Sequence, residues 1–267
     1  IRDRHEMVHG IKKFKEFFAG FEDKYVIIGG TACEVHETNY AQRPRATKDI
    51  DIILIVEVLS SDFVARFWDF VLTAEYGKRN MGTGNDTEHG HEYYRFKDPL
   101  NEDFPYQVEL FSRNKGLINF PADAHIVPIP VDDDLSSLSA ILMNDDYYHF
   151  TIGHSSVDNE DGIRIANIES LICLKCKAFI EMTERKNKGE QVDGKHILKH
   201  KKDVFRLAAM LAPAETYRLP RTLQEDMVEF IESVRDELPN ADFFRAAGLK
   251  NITGEQLVEQ LKRSFEL

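Results

Sequence analysis

Hydrophobic positions change their period several times along the chain, and each change marks an element. Between residues 6 and 21, Met7, Ile11, Phe14, Phe17 and Phe18 recur at helical spacing, which predicts an amphipathic helix. Tyr25-Val26-Ile27-Ile28 is a continuous apolar run stopped by Gly29-Gly30, the pattern of a buried strand entering a tight loop. A second helix is expected over 31–37, a loop over 43–48 around Pro44, and a β-branched strand over 49–56. Phe63, Phe67, Phe70 and Val71 give helical spacing to 61–75, and a Gly-rich polar stretch follows over 77–92. Strands are expected over 93–96 and 106–111.

The second half carries a different pattern. Residues 135–143 read as a short helix, 147–152 as a strand and 163–165 as another short strand. A long helix follows from Asn167, an N-cap residue type, to about Lys186, and another from near Asp193 to before Pro213. Thr222-x-x-Glu225 and Thr253-x-x-Gln256 are capping-box patterns ahead of apolar periodicity. Gly248 stands where a C-cap would end a helix begun near Asn240. The reading is an α+β core over 1–130 followed by a mostly helical portion over 131–267, with the change falling somewhere in 115–165.

Composition narrows the class. A chain of 267 residues, 42% hydrophobic and 30% charged, can bury a sizeable core and is not a disordered composition. No apolar run approaches the roughly 20 residues of a membrane span. No signal peptide is visible, although the chain opens at Ile1 rather than Met, and Cys33, Cys173 and Cys176 do not suggest a disulfide framework. A reducing cytoplasm is therefore expected. The net charge of −12 argues against wholesale wrapping of nucleic acid. Residues 185–202 nevertheless gather seven basic side chains (Arg185, Lys186, Lys188, Lys195, Lys199, Lys201, Lys202) against Glu190 and Asp193, which is either a solvated helix face or a phosphate-gripping patch.

Candidate chemistry lies in the first half. Carboxylates at i and i+2 on a strand share a face, so Asp49 and Asp51 project together while Ile50 and Ile52 anchor the strand. Glu109, between the inward Val108 and Leu110, offers a third carboxylate from a neighbouring strand. Hard oxygen donors of this kind suit Mg²⁺ or Mn²⁺. An isolated Asp-x-Asp is usually a surface feature; the order strand, Gly-Gly, helix, loop, Asp-x-Asp strand is what lifts this one. Gly29 and Gly30 would let backbone N–H groups approach phosphate oxygens, Thr31 adds a hydroxyl, and Arg43, Arg45 and Lys48 place positive charge just before the carboxylates.

Gly29-Gly30-Thr31-Ala32 followed by Arg45-Ala46-Thr47-Lys48-Asp49-Ile50-Asp51 resembles the polymerase-β-like nucleotidyltransferase superfamily, and within it the AbiEii type, known as toxins of type IV toxin–antitoxin systems. The resemblance extends through residues 138–142, Asp146-Tyr147-Tyr148 and 171–207; residues 214–267 have no counterpart in it. It implies a nucleotidyltransferase-type mixed sheet flanked by helices, and transfer of a nucleoside monophosphate from a nucleoside triphosphate to an acceptor hydroxyl. The acceptor stays open between RNA such as tRNA, a protein and a small molecule, and a cognate antitoxin is an implied partner. The resemblance also gives Lys175 contact with the triphosphate, with Lys177 its rival, and Asp203 a role near the acceptor or as a base. Lys199 joins the nucleotide-binding set. A Glu at 109 departs from the more usual Asp, and 189–196 is an extra stretch relative to shorter members.

Two other classes stay open. One is a catalytically silent relative that binds nucleotide or regulates. The other is a structural metalloprotein using Cys173-x-x-Cys176 or His89-x-His91, although no second Cys-x-x-Cys closes a zinc site and the cysteines read better as small packing residues.

Overall fold

The computed structural model describes residues 8–44, 47, 49–76, 92–112, 141–142, 144–159 and 162–267. The expected loop over 77–92 with His89 and His91, most of the expected helix over 135–143, and Arg45 and Lys48 lie outside the described residues, apart from Glu92, Ile141 and Leu142. The chain divides into two compact units. One comprises Ile1–Glu34, Ala46–Asp132 and Ser155–Ala166, the other Val35–Arg45, Asp133–His154 and Asn167–Leu267. The chain changes unit inside a helix at 34/35 and returns to the first unit for 155–166.

The first unit holds helix α1 (Ile11–Phe18), strand β1 (Tyr25–Ile28), the start of α2 (Gly29–Asn39), β2 (Asp49–Leu54), α3 (Ser61–Ala74), β3 (Glu92–Lys97), β4 (Gln107–Ser112), β5 (Ser155–Val157) and β6 (Arg164–Ala166). The strands form one mixed sheet in the order β3-β4-β2-β1-β6-β5. β1 is antiparallel to β2 and parallel to β6, β4 is parallel to β2, and the β3/β4 and β5/β6 pairs are antiparallel. β5 escaped the sequence reading because Ser155-Ser156-Val157 has no apolar alternation. It is held by β6 and by Arg164, whose guanidinium donates to Ser155 Oγ at 3.1 Å and to the Glu22 carbonyl at 2.8 Å.

An aromatic cluster between α1, α3 and the sheet forms this unit's core. Phe14, Phe18, Phe67, Phe70 and Phe104 are fully buried, and the Phe70 ring lies 5.1–5.9 Å from those of Phe14, Phe17, Phe18 and Phe104. Ser60 caps α3 by accepting from the Phe63 amide at 3.3 Å, which fixes where the aromatic stripe begins.

The second unit is helical: the end of α2, then α4 (Asp145–Gly153), α5 (Ile168–Asn187), α6 (Gly194–Ala208), α7 (Arg221–Val234), α8 (Ala241–Ala246) and α9 (Gly254–Ser264). The strand expected over 147–152 is a helix. Asn144 accepts from the Asp146 and Tyr147 amides, and Tyr147, Tyr148 and Thr151 bury a helical rather than an alternating set. The Thr222 capping box is also corrected: α7 starts at Arg221 behind Pro220, and the Thr222 hydroxyl donates to Asp146 at 2.7 Å. The Thr253–Gln256 box forms as read. Gly248 follows α8 with φ of +84°, the left-handed conformation of a C-cap glycine.

Inside this unit Asp226 ties three helices, accepting from Tyr147 Oη and Lys177 Nζ, each at 2.9 Å. Glu181 lies one turn on from Lys177. Burial pushes its carboxyl up to about 7 against the opposing pull of Lys177, with Asp226 and Glu184 raising it further and Arg185 lowering it.

Two outcomes follow. Phe70→Ala should cost about 3–5 kcal/mol, the usual range for emptying a core phenylalanine site, and urea denaturation measures it. For Glu181, the folded protein holds a proton that the unfolded chain releases, so stability falls as pH rises from about 4.5 through about 7. Glu181→Gln should flatten that slope, and melting temperatures at pH 5 and 8 decide it.

Candidate functional site

The strand register brings the predicted carboxylates onto one face. Asp49 and Asp51 stand two residues apart on β2, both half-buried, while Ile50 and Ile52 point into the core. β4 runs parallel beside β2 with Asp51 opposite Glu109 and Asp49 opposite Gln107, so all four polar side chains leave the same face of adjacent strands. β3 continues that face: Arg95 lies opposite Glu109 and Lys97 opposite Gln107.

Glu109 is 5% exposed and is not open to water. Its Oε1 accepts from Arg95 Nε at 2.8 Å and from Gln107 Nε2 at 2.6 Å, so two donors hold it along the sheet. Among the described residues, no three Asp, Glu, His or Cys side chains converge closely enough to hold a metal ion. The closed three-carboxylate set expected for Asp49, Asp51 and Glu109 is therefore not assembled. Asp49 and Asp51 bring two hard oxygen donors to this face, the ligand type that suits Mg²⁺ or Mn²⁺, whereas Glu109 Oε1 is taken by Arg95 and Gln107.

The two glycines permit close approach of neighbouring side chains. Gly29 has φ of +66°, and a Cβ there would fall on Asp51 Oδ2. A Cβ on Gly30 would lie 2.8 Å from Thr47 Oγ1. The space on the side-chain side of each glycine is thus taken by another side chain of this unit. Thr31 is fully buried and donates to the Asp49 carbonyl at 2.6 Å, tying the first turn of α2 to the start of β2. Glu34, also buried, accepts from the Thr47 amide at 3.0 Å and holds the chain just before β2. Gly29-Gly30-Thr31 is a brace that sets Asp51 beside the N-terminus of α2, where the helix dipole favours negative charge.

In the second unit, Lys175 on α5 and Asp203 on α6 are both buried, and Lys175 Nζ lies 3.3 Å from Asp203 Oδ2. Lys199, half-buried, stands one turn before Asp203. Lys177, the rival to Lys175, is taken up by Asp226 at 2.9 Å. Cys173 and Cys176 are buried free thiols on α5 whose ionisation burial pushes up, consistent with packing. Arg95 and Gln107 were not singled out by sequence. The available signal was that Arg95/Lys97 and Gln107/Glu109 each alternate with apolar neighbours on two strands that can pair.

No family model matches the chain, and no curated protein matches it. Among solved structures, it is similar to the Megavirus polyadenylate synthase at 10% identity with a TM-score of 0.30, over 93% of this chain and 41% of that one. The chain thus spans less than half the length of that protein. No described helix is long and apolar enough to cross a membrane.

Removing Lys175 would leave Asp203 charged in a buried setting. Lys175→Met should destabilise by about 3–5 kcal/mol, the cost of breaking a buried ion pair, while adding Asp203→Leu should recover much of it. Urea titration of the single and double variants reads this directly.

Proposed function

We propose that this chain is a metal-dependent nucleotidyltransferase of the AbiEii type, moving a nucleoside monophosphate from a nucleoside triphosphate to an acceptor hydroxyl. The observation that carries the reading is the register of β2 and β4, which sets Asp49, Asp51 and Glu109 on one face of two parallel strands. Family membership rests on the Gly29–Ala32, Asp49–Asp51 and 171–207 motifs. Phosphoryl transfer asks a protein chiefly for positioning and charge neutralisation. Asp49 and Asp51 would hold the Mg²⁺ or Mn²⁺, which supplies neutralisation of triphosphate charge and a template for the attacking oxygen. Glu109 would join them through its Oε2, since Oε1 accepts from Arg95 and Gln107. Gly29, Gly30 and Thr31 set Asp51 in place and offer the N-terminus of α2, and Arg45, Lys48, Lys175 and Lys199 are the cations assigned to nucleotide. Asp203 is assigned to the acceptor hydroxyl.

RNA such as tRNA, a protein or a small molecule can each supply that hydroxyl, and a toxin role with a cognate antitoxin belongs to the same reading. One observation favours a second reading, a silent nucleotide-binding relative: Glu109 is already neutralised by Arg95.

The test offers each labelled nucleoside triphosphate, with Mg²⁺ or Mn²⁺, to the protein together with total RNA, lysate protein or aminoglycosides in separate reactions. Label should move to one acceptor class, and Asp51→Asn should abolish transfer while keeping the fold. Transfer by Asp51→Asn at the parental rate would overturn the site; nucleotide binding with no transfer to any acceptor would select the silent relative.

A further inference from the structure

We infer that the exposed face of α6 is a docking surface for single-stranded RNA, with Lys195, Lys199 and Lys202 on the phosphates and Phe243 of α8 stacked on a base. The inference goes beyond the reading above and stands whether or not the chain transfers nucleotide. Its Phe243 end lies in the portion that the motif resemblance does not reach.

The seven basic side chains between 185 and 202 separate into two groups in the structure. Arg185 pairs with Glu190 at 2.7 Å, Lys188 with Glu184 at 3.4 Å, and the buried Lys201 with Glu237 at 3.5 Å. Lys195, Lys199 and Lys202 instead stand at i, i+4 and i+7 of one helix, so they share a face. Lys195 and Lys202 are exposed, and Lys199 between them is half-buried. Arg206 is next on that row, but it binds both oxygens of Glu37, so the open stripe ends at Lys202. Asp203, the single acid in the α6 sequence, is buried against Lys175. The stripe thus carries one sign of charge over about 10 Å of helix axis. A stacked nucleic-acid strand sets one phosphate per about 3.4 Å, so that length faces about three of them.

On a chain of net charge −12, such a stripe localises a polyanion to one face. The ring beside it selects the kind of polyanion. Phe243 is half-buried, and Lys202 Nζ lies 5.9 Å from its centroid. Phe244, its neighbour, is the fully buried anchor of α8, which leaves the Phe243 ring at the surface beside the stripe. Cations that track a backbone next to an accessible aromatic ring are the combination that holds a single strand, because its bases are free to stack on the ring. A duplex keeps its bases within its own stack, and an acidic peptide has no base to offer.

The probe is a fluorescein-labelled single-stranded oligoribonucleotide of mixed sequence, titrated with the full chain and followed by anisotropy. EDTA is present and no triphosphate is added, so binding is read apart from metal and transfer. Over roughly 50–200 mM salt, log Kd should change with log salt by about 0.7 for each lysine contact, near 2 for the three. Lys195→Gln and Lys202→Gln should each weaken binding several-fold and lower that slope by about 0.7. Phe243→Leu should weaken binding several-fold and leave the slope unchanged, because stacking releases no counterions. Lys262→Gln on α9, the same charge change at an exposed pair with Glu259, should have little effect. Circular dichroism confirms each fold; should Phe243→Leu fail to fold, the two lysine variants decide. No binding by the parent chain, or equal losses from Lys262→Gln and the stripe variants, would overturn the surface. Tighter binding of blunt duplex RNA, or equal competition by oligoglutamate of matched charge, would overturn its assignment to single-stranded RNA. RNA binding without nucleotide transfer leaves this surface standing and counts against the transferase reading; transfer without RNA binding does the reverse.

Discussion

Gly29 has no side chain, and Asp51 occupies the space that a side chain would need. Much of the first unit's organisation follows from that close approach. β1 must end at Ile28, because residue 28 pairs with Asp51 and the next residue has to turn with positive φ into α2. Any other residue at 29 would meet both a steric clash and a conformational penalty. The helix then begins with its N-terminus beside a carboxylate, an arrangement worth about 0.3–1 kcal/mol at an exposed site and more when partly buried. Thr31 and Glu34 fasten the same turn to the chain at Asp49 and Thr47. One glycine thus couples the direction of α2 to the position of the second aspartate.

The two units are stabilised by different means. In the first, an aromatic cluster packs on one side of the sheet, and the β2 and β4 strands carry carboxylates on a shared face. In the second, buried ions tie helices together: Lys175 with Asp203, Lys177 with Asp226, and Arg206 with Glu37, whose two oxygens it meets at 2.6 and 2.8 Å. Such pairs add little net stability over apolar packing, but each breaks at high cost when one partner is removed. They fix which helix faces meet, a job that apolar α5, buried on most of its circumference, cannot do through hydrophobic contact alone.

Local pattern carried most of the fold and part of the site. The strand and helix periods from Tyr25 to Phe111, the Asn167, Asp193 and Asn240 helix starts and the Thr253 box were all legible, because each is decided within a few residues. The 147–152 error arose where local signals compete: Tyr147-Tyr148-His149-Phe150-Thr151-Ile152 is rich in strand-favouring residues, yet the cap at Asn144 and tertiary burial make it helical. Thr222 failed for a related reason, since its hydroxyl found a tertiary acceptor in Asp146. At the site, the i, i+2 spacing placed Asp49 and Asp51 on one face, and the alternation of β4 placed Glu109 outward. The cross-strand register was not legible, because it depends on how β3 pairs with β4 across residues 98–106. Without it, Arg95 opposite Glu109 and the filled space over Gly29 could not be read from the sequence.

The three carboxylates on the β2/β4 face are placed by different contacts. Glu109 is buried and matched by a full positive charge and a neutral donor. Asp51 is half-buried and matched by the partial charge of a helix N-terminus, which amounts to about half an elementary charge. Asp49 is half-buried at the first position of its strand, where its carbonyl, not its carboxylate, receives the Thr31 hydroxyl. The β3 strand, silent in the motif pattern, thus supplies through Arg95 the counter-charge for the most enclosed carboxylate of this face.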